Sequence, residues 1–198
     1  MKKFITRYRL FQTGQVIPGL VIHGQPAPYP VVNERAVRAG AGIMLVLGLF
    51  AFFQAFYLAE YLFLKILVIA FFIDFLLKVI VGNTYSPVSQ LANLIVRKQE
   101  PEYVGAIQKR FAWSIGLALS SVMIILIFSL GIIGPINLAI CALCLAFMFM
   151  ESAFGICVGC NIYSFLLAKN IIATPAIRPS CAGNVCSIEW FSRTTLQT

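Results

Sequence analysis

Charge is in short supply in this chain, and negative charge most of all. Only 11% of the 198 residues are charged, with 15 Lys and Arg against 7 Asp and Glu. Soluble domains carry about 25%, so there are too few charged groups to clothe a water-facing surface. Histidine is scarcer still. The single His23 sits in a segment bordered by prolines, which removes a Ser/His/Asp triad and makes a metal role for it a poor fit. No phosphate-binding loop is present, because Gly40-Ala-Gly42 lies in an apolar run without the loop's lysine and hydroxyl. Its glycines read instead as a surface for close helix approach. A secretory leader is not read at the start, since Gln12, Thr13, Gly14 and Gln15 interrupt before any apolar core builds.

What the chain has in quantity is apolar surface: 60% hydrophobic residues and a mean hydropathy of +0.90. A bilayer core requires about 20 consecutive apolar residues of a helix, and four runs meet that length. They cover about 39–58, 62–81, 112–132 and 135–167, the last longer than one crossing and expected to project or to break at Gly155 or Gly159. The fold class is therefore an all-α membrane protein with four transmembrane helices. Residues 1–34 form a proline-limited surface segment, 35–168 the four-helix domain and 169–198 a tail. In 86–96, apolar residues at 88, 91, 94 and 95 suggest a short amphipathic helix at the interface.

Lys and Arg cluster in the first 38 residues, in 97–110 and after 168, and are nearly missing from the two tight turns. By the positive-inside rule both termini and the middle loop are cytoplasmic, in the cell inner membrane. The net charge of +8 then reflects orientation and anionic lipid, with no nucleic-acid partner expected. A faint internal repeat is also visible. Asp74 to Gly82 and Glu151 to Gly159 have equal spacing, Val-Gly recurs, and Tyr85-Ser86 aligns with Tyr163-Ser164 after one inserted residue. Each pair of spans follows arginines and small residues: Arg35 and Arg38 in one case, Arg110 in the other. Both halves start on the same side, so the two-helix repeat is parallel.

The chemistry concentrates in Glu151-Ser-Ala-Phe-Gly155-Ile-Cys157-Val-Gly159-Cys160. Residues three apart on a helix share a face, so Cys157 and Cys160 can exchange a disulfide, hold a metal or simply pack as small apolar groups. Glu151 is placed to deprotonate a thiol or relay a proton. Carboxylates in the membrane need inward partners. Lys78, one turn beyond Asp74, is the local partner for that acid. Cys141 and Cys144 form a second Cys-x-x-Cys, read as core packing. Cys181 and Cys186, in the tail, can join Cys157 and Cys160 as a four-sulfur zinc site, although their spacing is longer than usual. No other cofactor is expected.

Four places carry a resemblance to a bacterial integral-membrane family, domain of unknown function 4395. They are Val32-Asn-Glu34-Arg35-Ala-Val-Arg38, Tyr85-Ser86-Pro87 with Leu91, Lys109-Arg110-Phe111-Ala112 with Gly116, and the Glu151 to Cys160 string. The resemblance covers about residues 30–167. It implies four helices and, through frequent neighbours of such families, a thioredoxin-like or sulfurtransferase partner; it implies no activity. Three functions follow as expectations. Cys157 and Cys160 handle thiol redox equivalents or reduced sulfur with Glu151 as base; or Asp74 and Glu151 line a path for a small sulfur species; or the chain is a structural subunit.

Overall fold

The computed structural model describes residues 13–22, 25–169 and 171–172. Two small strands, β1 (Val21–Ile22) and β2 (Gln25–Pro26), pair antiparallel in the N-terminal segment. A third, β3 (Val31–Asn33), leads directly into the first long helix, α1 (Glu34–Tyr57). Asn33 caps that helix, its side chain accepting from the Arg35 amide at 3.2 Å, which satisfies a backbone donor the helix leaves open. After α2 (Leu62–Leu76) a π-helical turn covers Leu77–Val81, and a 3-10 turn, Asn83–Tyr85, brings the chain to α3 (Pro87–Val96). Strand β4 (Tyr103–Gly105) then leads into α4 (Ala106–Ile124), which runs on as a π-helical turn to Ser129. Next come α5 (Pro135–Phe154) and α6 (Val158–Ala168).

Strands β3 and β4 pair antiparallel, Val32 opposite Val104, and so tie the starts of α1 and α4 together. Away from that ladder the helices pair crosswise: α5 packs chiefly on α1, and α2 chiefly on α4. The two short helices lie on the long ones, α3 on α1 and α6 on α4. One core, Val32, Val104, Ala106 and Trp113, sits beneath the ladder. The other, at the opposite end, gathers Ala51, Leu64, Val68, Met123 and Ile127, with Cys141 packed against it. That contact agrees with the packing role expected of Cys141. The N-terminal segment rests on the bundle, with Ala27 and Val31 buried and Thr13 donating to the Lys78 carbonyl at 3.5 Å.

Among the described residues three helices, 34–57, 106–129 and 135–154, are long and apolar enough to cross a membrane. Their apolar windows are only 28%, 22% and 11% buried within the protein, so most of their surface needs an apolar surrounding. Two of them start several residues earlier than hydropathy alone suggests, because Glu34 and Lys109 are buried ion partners rather than boundary residues. The expected run to 167 breaks after Phe154. Helix α6 has 11 residues, too few to cross a bilayer at about 1.5 Å each. Helix α3 forms where expected, and its large apolar residues point away from the bundle: Leu91, Leu94 and Ile95 are exposed, and Ser89, Ala92 and Val96 face inward.

Candidate functional site

The break between α5 and α6 builds the site. Gly155 takes φ +69°, the left-handed turn that ends α5, and its amide donates to the Glu151 carbonyl at 3.1 Å. Glycine accepts that φ without the strain a Cβ brings. The guanidinium of Arg38 lies across the same residue, where an added Cβ would stand 3.2 Å from Cζ, and it donates to the Ser152 carbonyl at 3.5 Å. Two residues later α6 begins, with Cys157 as its cap. The Cys157 Sγ accepts from the Cys160 amide at 3.3 Å. The pair therefore sits at a helix N-terminus, whose open amides and dipole favour negative charge. Gly159 lets this end press onto α4: a Cβ there would meet the Ala112 backbone at 2.6 Å.

Beneath the cysteines lies a buried ion cluster. Lys109, from the first turns of α4, donates to Glu34 of α1 at 2.9 Å and to Glu151 of α5 at 2.8 Å. Three helices are thereby held by one ammonium, and the cluster holds one more carboxylate than ammonium. Removing one partner from such a buried set costs about 3–5 kcal/mol. Both thiols lie within electrostatic reach of Lys109. Both are buried and unbridged. The adjacent Cys157 sulfur, and after it burial, push the Cys160 thiol above the ordinary thiol range. A cavity of about 80 Å³ reaches Cys157 and Glu151 from between α4 and α5.

A second buried cluster stands at the head of α3. Asp74 Oδ1 accepts from the Ser86 hydroxyl at 2.6 Å and from the Val88 amide at 3.2 Å. Its other oxygen pairs with Lys78 at 2.7 Å. The Lys78 ammonium also stands over the rings of Phe75 and Trp113, 5.5 and 5.8 Å from their centroids. Ser86 caps α3 and accepts from the Ser89 amide at 3.1 Å. Lys78 and Glu151 line one further cavity, so the two clusters are neighbours with separate partners.

Of the residues singled out by sequence, Cys157, Cys160, Glu151, Gly155, Gly159 and Arg38 come together. Asp74 and Lys78 pair as expected, one cavity away. Arg35 and Arg110 are exposed and stand apart. Glu34 and Lys109, central to the site, were not anticipated as members of it, although both fall within the family-like motifs. Among the described residues no group of three or more His, Cys, Asp or Glu is placed to hold a metal. Cys181, Cys186 and His23 lie outside the described residues.

Residues 32–168 match the model of a protein family, well over half of the chain. The chain belongs to the family described as domain of unknown function (DUF4395). The match begins at β3 and ends with α6, so it takes in both ion clusters and the cysteine pair. No curated protein and no solved structure matches the chain.

Proposed function

We propose that this DUF4395 protein is a four-span protein of the cell inner membrane that exchanges thiols and disulfides through Cys157 and Cys160. The observation that carries the reading is the cap of α6. A Cys-x-x-Cys whose first sulfur accepts the amide of the second residue, at a helix N-terminus beside a buried lysine, is placed for nucleophilic exchange. Cys157 attacks a disulfide and forms a mixed disulfide, releasing one thiol. Cys160 then attacks the Cys157 sulfur, closes the internal disulfide and releases the second thiol. Glu151, held by the Lys109 ammonium, accepts and returns the proton that Cys160 gives up. The fourth span is α2 with its π-helical turn, where Asp74 and Lys78 offset each other's charge. The positive-inside distribution puts both termini, the ladder and α6 on the cytoplasmic side, within reach of a thioredoxin-like or sulfurtransferase partner.

The crosswise packing of α1 on α5 and α2 on α4, with β3 against β4, supports reading the two halves as a parallel repeat. The test uses purified protein and oxidised glutathione. Cys160→Ser accumulates a glutathione adduct on Cys157, the wild type closes the internal disulfide, and Cys157→Ser forms neither. Equal adducts on both single variants would contradict the assignment.

A further inference from the structure

The cavity beside Cys157 lies between α4 and α5, two helices long and apolar enough to cross a membrane. These two helices touch each other much less than α5 touches α1, and the cavity occupies the cleft between them. Its walls include Ile115 and Leu119 of α4 and Phe147 and Met148 of α5, with Phe75 and Trp113 toward the bundle axis. Among the described residues lining it, Glu151 is the only charged one, and it stands at the same end as Cys157. A ligand entering from the bilayer must therefore be apolar and membrane-soluble, with a polar edge for that end. The aromatic walls favour a flat ring. Both sulfurs are buried, and the cleft is a route by which a small membrane-soluble molecule reaches Cys157.

Resting on the thiol-exchange reading, we infer that this cleft binds the ring of a membrane quinone and that the dithiol reduces it. The dithiol supplies two electrons and two protons, and of membrane-soluble acceptors a quinone takes up both. The Cys157 sulfur donates to the ring, Cys160 attacks that sulfur, and one S–S bond forms as two S–H bonds break. The two electrons leave to the ring, whose oxygens take the two protons and become a quinol. Glu151, at the polar end, hands over the proton released from Cys160.

The test uses full-length protein in liposomes, reduced and freed of reductant, with a decyl-tailed benzoquinone whose ring is fully substituted so that no stable thioether forms on it. Quinol is followed by absorbance and the Cys157–Cys160 link by peptide mass; oxidised glutathione serves as a parallel, water-soluble oxidant. The expected result is one quinol per link formed, none in Cys157→Ser or Cys160→Ser. In Leu119→Trp, which fills the cleft, the ratio of quinone rate to glutathione rate falls about tenfold or more. A link formed with glutathione and not with quinone overturns the inference and leaves thiol exchange standing, as does an unchanged ratio in Leu119→Trp. Failure of both oxidants to form the link overturns thiol exchange and the quinone site together.

Discussion

At the head of α3, Ser86 accepts the Ser89 amide; at the head of α6, Cys157 accepts the Cys160 amide. The two short helices lie on α1 and α4, the helices joined by the β3–β4 ladder. Both also follow an ion-paired acid, the buried Asp74 in one case and the partly buried Glu151 in the other. The same backbone solution thus carries Ser-x-x-Ser in one half and Cys-x-x-Cys in the other. The acids behave differently. Asp74 turns onto its own cap, holding the Ser86 hydroxyl and the Val88 amide, with Lys78 at its back. Glu151 turns away to Lys109 and Glu34, and the cap sulfur faces a cavity. The first arrangement locks a helix in place; in the proposed thiol-exchange reading the second keeps a thiol beside a proton store. On that reading position alone does not make a redox site: sulfur in place of oxygen and release of the acid do.

The largest effect is expected where the ion clusters break. Lys109→Met leaves Glu34 and Glu151 buried together without a cation and costs about 3–5 kcal/mol, read as a fall in thermal midpoint in detergent. Lys78→Met, judged by charge alone, costs less, because Asp74 keeps its two hydrogen bonds; equal losses would erase the distinction between the halves. Next comes Gly159→Ala, which drives a Cβ into the Ala112 backbone. Overpacking of this kind costs about 1–3 kcal/mol, and it slows disulfide closure if α6 lifts from α4. Ser86→Ala removes the α3 cap and costs about 1 kcal/mol in the same melt, with thiol exchange unchanged.

The smallest effect is a slope. Cys160 has a raised thiol pKa in the fold, so the folded state binds more protons than the unfolded state once pH exceeds the ordinary thiol value of about 8.5. Stability of the reduced protein therefore falls as pH rises beyond that point and is unaffected below it. Melts of wild type and Cys160→Ser across alkaline pH check this; the variant lacks that part of the slope.

Much of this was legible from residue spacing. The Asp74–Lys78 pair follows from two charges one turn apart in an apolar helix, and the cysteine pair from its own motif. Gly155 and Gly159 both stand out as places for a break, yet only Gly155 takes the left-handed turn, while Gly159 is small for the sake of Ala112. Spacing cannot reveal the Glu34–Lys109 bond, which joins residues 75 apart in sequence. Only the presence of both within the family-like motifs hinted at it. Helix α3 carries the apolar stripe expected of a helix at the interface. Amphipathicity identifies an apolar stripe but not its surroundings, and Leu91, Leu94 and Ile95 turn outward while small residues meet α1. Aligning Tyr85-Ser86 with Tyr163-Ser164 matched letters; Ser164 lies inside α6, and the residue in the role of Ser86 is Cys157.

The most direct measurement is the mass of the Cys157 and Cys160 peptide after timed alkylation of native membranes held at reducing and then at oxidising potential. The account predicts alkylation of Cys157 before Cys160 when reduced, and a single internally linked peptide, closed to alkylation, when oxidised. Two thiols that alkylate at equal rates and never link would contradict it.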